Sequence, residues 1–134
     1  MTNQSLFLVT LVVPDYDAAI EFYCNTLGFT LVEDNGLEDD KRWVVIRPPG
    51  DGGASLLIAK ATHAQQAAAI GNQAGGRVGF FLKTDDFSRD HAAYLARGVI
   101  FEEAPRHEVY GSVAVFRDPF GNRWDLIQHA SDAG

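Results

Sequence analysis

The sequence predicts an α+β fold built from two βαβββ modules. An apolar run ending in an acidic turn spans residues 8–17, and a similar run returns at 79–88, 71 residues later. A short helical pattern closed by a glycine, Gly28 or Gly98, follows each run, and strand-like segments follow each helix. A repeat of this size predicts two like halves that face one another across a shared cleft.

The length of 134 residues is typical of one domain, so the repeat is expected to lie within a single domain over 1–134. The first module is assigned to about 5–61, a linker helix and loop to 62–76, and the second module to about 77–129. Apolar residues make up 46% of the chain and include nine Phe, which is enough for a core.

The first module opens with residues 5–13, a short run rich in Leu and Val that predicts a buried strand. Pro14 ends this strand, because proline has no backbone N–H to give to a sheet. Asp15 or Asp17 is expected to cap the next helix, and Gly28 to end it in a left-handed conformation. Three further strands are predicted at 29–33, 41–47 and 54–60, with an acidic loop at 34–40.

The second module repeats this order after a weak helix at 62–70 and a glycine-rich linker at 71–76. Residues 118–122 read Asp-Pro-Phe-Gly-Asn, a composition typical of a tight turn between two strands. The predicted elements are a strand at 77–84, a helix at 88–97, and strands at 99–103, 112–117 and 122–128. The whole chain is thus expected to have eight strands and two main helices.

Several motifs carry a family resemblance: VTLVVPDYDAAIEFY at 9–23, LGF at 27–29, YG at 110–111 and DPFGNRWDLIQ at 118–128. They resemble the vicinal oxygen chelate superfamily, which groups glyoxalase I, bleomycin-resistance proteins and extradiol dioxygenases. The resemblance covers nearly the whole chain. It implies paired modules whose strands curl into open half-barrels around a shared cleft, and assembly as a homodimer.

The resemblance also implies where a metal would be held. The family places its divalent ion on the first and last strands of each module, and the matching positions here are Leu8, Leu57, Gly79 and Asp125. Three of these four cannot coordinate a metal, and one carboxylate is too few donors. No cofactor is therefore expected, with a divalent metal as the less favoured alternative, and Leu8, Leu57 and Phe81 would give the cleft an apolar floor.

Arg106, Glu108 and Tyr110 alternate along the chain, so in an extended segment they share one face. On a cleft wall they would offer a cation, a carboxylate and a phenol to a ligand. The alternative is a solvated loop with an Arg–Glu ion pair. His107, inside this segment, is a candidate acid or base near neutral pH.

Asp125 and Arg123 are expected to share a face of the last strand. Asp125 is interpreted as a ligand anchor or general base, or alternatively as the partner of Arg123 or Arg47 in a salt bridge. Trp43 is a candidate wall for stacking on a flat ligand, although a core aromatic is the commoner role.

Cysteine and histidine give little sign of chemistry. The single cysteine, Cys24, excludes an intrachain disulfide and a cysteine-based zinc site, and is interpreted as a small core residue. The four histidines show no paired spacing typical of a metal site.

The formal charge of −7 disfavours nucleic acid and anionic membranes as partners. The sequence has neither a long apolar run nor a signal peptide, so a cytoplasmic protein is expected.

These observations favour a metal-free protein that binds and sequesters a small molecule. The alternative is a metal-dependent lyase, isomerase or dioxygenase of the same superfamily with ligands from atypical positions. A third possibility is acid–base catalysis without a metal, carried out by Asp125 or His107.

Overall fold

The computed structural model describes residues 1–132, which separate into two compact units, Met1–Ile70 and a second that begins at Gly71. Each unit contains one sheet and one main helical segment in the order βαβββ, with an additional short strand in the second. The predicted α+β class and the internal repeat are therefore confirmed.

The first unit has a four-stranded sheet in the order β1-β4-β3-β2, with β1 parallel to β4 and the other pairs antiparallel. Its elements are β1 (Leu8–Val13), α1 (Tyr16–Ile20), a π-helical segment (Glu21–Thr26), β2 (Thr30–Gly36), β3 (Arg42–Arg47), β4 (Ser55–Lys60) and α2 (Ala64–Ala69).

The helical segment of the first unit begins and ends as its sequence predicts. Asp15 is the cap, because its carboxylate accepts a hydrogen bond of 2.8 Å from the Ala18 backbone N–H. Gly28 has φ of 84°, the expected left-handed value. The π-helical turn was not predicted, since it depends on a wider hydrogen-bond pattern that side-chain spacing does not reveal.

The acidic loop of the first unit is shorter than predicted. Strand β2 continues to Gly36, so Asp34 lies in the sheet and not in a loop. Arg42, on the neighbouring strand, binds Asp34 at 2.7 Å and Asp17 at 2.8 Å. Strand β2 is exposed along its whole length, so an acidic side chain is tolerated there, and Arg42 neutralises its charge.

The second unit has the sheet order β5-β9-β8-β6, with β5 parallel to β9, and β7 also pairs with β8. Its elements are β5 (Phe80–Lys83), α3 (Phe87–Ala96), β6 (Ile100–Phe101), β7 (Arg106–Glu108), β8 (Gly111–Arg117), β9 (Arg123–His129) and a final 3₁₀ turn (Ala130–Asp132).

Two predictions for the second unit need correction. Residues 1–132 contain nine strands and not eight, because Arg106–Glu108 pairs with β8. The predicted strand at 77–84 is shorter, since only Phe80–Lys83 runs beside β9. The tight turn before β9 is confirmed: Gly121 has φ of 96°, and its backbone N–H donates to the Asp118 carbonyl at 3.2 Å.

Aromatic rings fill the space between the second sheet and α3. Tyr94 of the helix packs edge-on against Phe116, and Phe116 stacks on Trp124. All three side chains are buried. This core fixes which residues of β8 and β9 point toward the helix, and therefore which point the other way. Within residues 1–132, no helix has the length and apolar character needed to cross a membrane.

Candidate ligand-binding site

The second sheet has one face packed on α3 and an opposite face, called here the second open face, which carries Arg123, Asp125 and Ile127 of β9. Trp124 and Leu126 alternate with these residues and are buried in the core. The expected sharing of one face by Arg123 and Asp125 follows from this alternation.

Asp125 lies between apolar neighbours on the second open face. It is directly opposite Phe81 on β5 and Val115 on β8. The Phe81 side chain is 67% exposed, whereas Val115 is buried. The Asp125 carboxyl therefore stands on a partly apolar surface, with an aromatic ring beside it that is open to solvent.

One oxygen of Asp125 lacks a hydrogen bond. Oδ1 is buried and accepts none from residues 1–132. Burial raises the pKa of this carboxyl above its ordinary value, with a smaller contribution in the same direction from Glu103. The charges of Arg106 and Arg123 act in the opposite direction and do not reverse the shift.

The arginines around Asp125 are paired with other carboxylates. Arg123 binds Glu102 at 2.8 Å and does not form the ion pair with Asp125 that the sequence offered as an alternative. Arg117 binds the same glutamate at 3.0 Å. These two contacts lower the pKa of Glu102, so the glutamate stays ionised between its two arginines.

Arg106 and Glu108 lie in a strand and not in a solvated loop, yet they do form the ion pair expected of such a loop. Their closest charged atoms are 3.6 Å apart, and Arg106 also binds Glu103 at 3.0 Å. A hydrogen bond with Tyr110 helps to raise the Arg106 pKa. The candidates Arg106, Glu108 and Tyr110 are therefore brought together, and Arg106 lies close enough to Asp125 for its charge to lower the pKa of that carboxyl.

His107 is not brought to Asp125. It alternates with Arg106 along β7 and pairs in register with Ser112, whose Oγ lies 2.9 Å from the His107 Nδ1. Ser112 is in turn the register partner of Gln128 and not of Asp125. The two candidate acid–base groups thus lie on opposite sides of the second sheet.

The first unit has a corresponding face, called here the first open face, which carries Leu8, Leu57 and Trp43. Leu57 pairs with Thr10 on β1 and Val45 on β3, and it alternates with the buried core residues Leu56 and Ile58. Trp43 is 37% exposed and so is not a core aromatic. Its indole Nε1 donates to Glu33 at 2.5 Å, which fixes the ring on this face.

The four positions at which the family resemblance implies a metal occupy equivalent places in the two sheets. Leu57 lies opposite Thr10 as Asp125 lies opposite Phe81, and Leu8 and Gly79 precede Thr10 and Phe81 by two residues. Two leucines, a glycine and one carboxylate do not fit a divalent ion. Within residues 1–132, no three His, Cys, Asp or Glu side chains cluster as metal ligands.

Cys24 is in the π-helical segment, and burial raises the pKa of its thiol. A raised pKa lowers the thiolate fraction at neutral pH, which weakens a thiol as a nucleophile. Cys24 is half-buried, so it is not the core residue that the sequence predicted.

Sequence reasoning missed two glutamates that organise these faces. Glu33 holds Trp43 from a diagonal position across the β2–β3 pair, and Glu103 lies close enough to Asp125 to affect its pKa. The Glu33 contact depends on the bulge between Leu31 and Glu33, which shifts the register by one residue. The acidic pair at 102–103 was visible in the sequence, but its arginine partners were distant along the chain.

Comparison with known proteins identifies a family whose profile this chain matches. The sequence profile of the Glyoxalase/Bleomycin resistance protein/Dioxygenase superfamily matches residues 5–126. An uncharacterised protein of Shewanella frigidimarina (strain NCIMB 400) is 54% identical over 127 residues, which cover 94% of each chain.

Two solved structures are similar in fold and sequence. TnmS3, an antibiotic-binding protein from Streptomyces sp. CB03234, is 30% identical, with a TM-score of 0.77 over 97% of this chain and 99% of TnmS3. UcmS2 is 25% identical, with a TM-score of 0.81 over 94% of this chain and 98% of UcmS2.

Proposed function

This chain belongs to the glyoxalase/bleomycin resistance protein/dioxygenase superfamily, and we propose that it binds and sequesters a small molecule without a metal and without transforming it. The observation that carries this proposal is the set of side chains at the four metal positions. Leu8, Leu57 and Gly79 offer no ligand atom, and Asp125 offers one carboxylate.

The two open faces have the composition of binding surfaces for small molecules. Such sites combine apolar and aromatic walls with a few fixed polar groups. Trp43, fixed by Glu33, and the exposed ring of Phe81 supply aromatic surface. On the second open face, Asp125 lies opposite Phe81 and Arg106 lies close enough to affect the Asp125 pKa, so both supply polar groups there. These features support a flat, partly apolar ligand.

The likeness to TnmS3 supports the same proposal. TnmS3 is an antibiotic-binding protein, and it is 30% identical to this chain over nearly its full length. A shared fold alone does not transfer a function. The likeness supports a binding function here because the four positions that would hold a metal also lack the ligand atoms for metal chemistry.

The proposal includes assembly as a homodimer, which the family resemblance implies, and a location in the cytoplasm. Size-exclusion chromatography with light scattering is expected to give twice the mass of the 14.6 kDa chain. A monomer at micromolar concentration would contradict this part of the proposal and leave the binding function to be judged separately.

Titration calorimetry with a panel of fused-ring compounds, neutral and cationic, tests the binding function. At least one compound is expected to bind and to be recovered unchanged, as judged by mass spectrometry. Trp43→Ala is expected to weaken this binding about tenfold, which is the loss of about 1.4 kcal/mol. Leu37→Ala removes another exposed apolar side chain of the first unit and serves as the matched control.

Elemental analysis of the purified protein distinguishes this function from a metal-dependent enzyme. We expect less than stoichiometric divalent metal, with no change in Asp125→Ala. One metal ion per chain that is lost in Asp125→Ala would overturn the proposal and favour a lyase, isomerase or dioxygenase. Conversion of a panel compound to a product by the metal-free protein would favour acid–base catalysis.

A further inference from the structure

We propose that the second open face recognises a protonated amine of the ligand, which binds the Asp125 carboxylate while an adjoining apolar part of the ligand contacts Phe81. This inference rests on the proposed binding function and names the chemical class that one part of the site selects. It does not require the first open face to contribute.

One carboxyl oxygen of Asp125 has no hydrogen-bond donor within residues 1–132. A buried polar atom without a hydrogen bond costs free energy, and such atoms are rare in folded proteins. Oδ1 of Asp125 is one of them within residues 1–132. Asp125 as a residue is only half-buried, so a donor can approach this side chain from solvent.

The two nearby arginines are ion-paired with glutamates and not with Asp125. Arg106 binds Glu103 and Glu108, and Arg123 binds Glu102 at 2.8 Å and the Gly76 carbonyl at 3.0 Å. Each guanidinium is therefore held by other acceptors. They influence Asp125 through their charge but leave its oxygen without a donor.

A cationic donor is favoured over a neutral donor at the Asp125 carboxylate. Glu103 repels the ionised form of Asp125, whereas Arg106 and Arg123 favour it, but both arginines are already ion-paired with glutamates. A hydrogen bond between a charged donor and a carboxylate is about twice as strong as a neutral one. The formal charge of −7 also favours the approach of a cationic ligand.

The neighbour of the Asp125 carboxylate on β5 is aromatic. Phe81 lies directly opposite Asp125 in register, and its side chain is 67% exposed. An aromatic face next to a carboxylate suits an ammonium group on a ring or short chain, since the ring attracts the cation and covers its apolar part. Val115, on the other side of Asp125, is buried and adds an apolar boundary.

Three matched probes test this inference: 2-(aminomethyl)naphthalene, 2-(hydroxymethyl)naphthalene and 2-naphthoate, each titrated calorimetrically at pH 7.5. The ammonium form is expected to bind about tenfold more tightly than the hydroxymethyl form, because only its bond is charge-assisted. The carboxylate form is expected to bind most weakly. Asp125→Asn should abolish the preference for the ammonium form and change the affinity for the hydroxymethyl form less than about twofold.

Two further variants keep the test interpretable. Asp125→Glu retains a carboxylate and is expected to retain the preference, whereas Asp51→Asn removes an exposed acidic group of the first unit and should change nothing. Circular dichroism and thermal unfolding establish that every variant is folded.

Equal binding of the three probes, or a preference that survives in Asp125→Asn, would overturn the amine inference. Its failure is distinguishable from that of the proposed function. If compounds of the wider panel bind but amines have no advantage, only the amine inference is wrong. If no compound of either set binds, both are wrong.

Discussion

Phe81 lies directly opposite Asp125 on the neighbouring parallel strand, and Thr10 lies opposite Leu57 in the same way in the first unit. The internal repeat is therefore preserved at the level of single register positions. The repeat is not preserved in chemistry, because one copy presents a carboxylate beside an exposed ring and the other presents a leucine.

The ionisation of Asp125 is expected to affect stability. Burial raises its pKa above the ordinary 3.8, so the folded protein holds this proton more tightly than the unfolded chain. The free energy of unfolding should therefore fall as pH rises from about 3.8 through the folded-state pKa. In Asp125→Asn this contribution is absent, and the variant should gain stability relative to the natural protein above that window.

Urea denaturation between pH 4 and pH 8 measures this effect, with Asp51→Asn as the control for loss of an exposed carboxylate. Parallel pH profiles for the natural protein and Asp125→Asn would show that burial of Asp125 has no energetic consequence.

Arg42 is expected to stabilise the first unit. It binds Asp17 and Asp34 at 2.8 and 2.7 Å, and its guanidinium lies 5.1 Å from the centre of the Tyr16 ring. Arg42→Gln should lower the free energy of unfolding by about 1–2 kcal/mol at pH 7, as two partly exposed ion pairs and one cation–π contact are lost.

The effect of Arg42→Gln should depend on pH. Arg42 lowers the pKa of Asp34 below 3.8, so the stability from this pair is present above pH 3.8 and is lost as pH falls through the folded-state pKa. Thermal unfolding at pH 7 and pH 2.5 measures the difference. Arg77→Gln in the second unit is the control, and a loss that is equal at both pH values would refute the ionic contribution.

Gly111 is expected to be intolerant of a side chain. Its φ is 150°, and a Cβ built there would lie 2.0 Å from the Gln128 carbonyl oxygen on the neighbouring strand. Gly111→Ala should therefore destabilise the protein by about 1–3 kcal/mol from backbone strain alone. Gly36→Ala, where no atom lies within 4 Å of the added carbon, is the matched control. Similar unfolding midpoints for both variants would mean that strand β9 moves away at little cost.

Glu102 and Arg123 are expected to be energetically coupled. Their charged atoms are 2.8 Å apart, and each partner shifts the pKa of the other toward the ionised state. A double-mutant cycle with Glu102→Gln and Arg123→Gln should give a coupling of about 0.5–1 kcal/mol, as for a partly exposed ion pair. Additive effects would show that the pair contributes no net stability.

The same pair provides a test of the environment of Asp125. Glu102→Gln frees Arg123 on the strand that carries Asp125, where its guanidinium can turn toward that carboxylate. We expect weaker binding of 2-(aminomethyl)naphthalene in this variant, by calorimetry, because a protein cation then competes with the ammonium group. Unchanged binding would mean that Arg123 does not reach Asp125 when its partner is removed.

The sequence predicted the fold because its signals were local. Alternating and continuous apolar runs marked the strands, Asp15 marked a helix start, and Gly28 and Gly121 marked places that need a positive φ. The ninth strand was missed because Arg106–Glu108 is short and polar, and it is a strand only through its pairing with β8. The π-helical turn likewise has no side-chain signature.

The candidate site was predictable in part. The alternation rule placed Arg123 and Asp125 on one face, as the structure does. It could not identify the partner of Arg123, because Glu102 is 21 residues away and is brought near only by the sheet. Trp43 was expected more often in the core, since aromatic side chains are usually buried, and the bond to Glu33 that holds it at the surface crosses a bulged strand pair.

The parallel pairing of the first and last long strands of each unit has a consequence for synthesis. Leu8 finds its register partner only when Ser55 has been made, and Phe80 only when Trp124 has been made. Contacts between such distant residues require closure of a long loop before β1 or β5 joins its sheet, which slows folding. A nascent chain that stops before Ser55 leaves its first strand without its partner, so we expect the chain to fold in two successive steps as each closing strand leaves the ribosome.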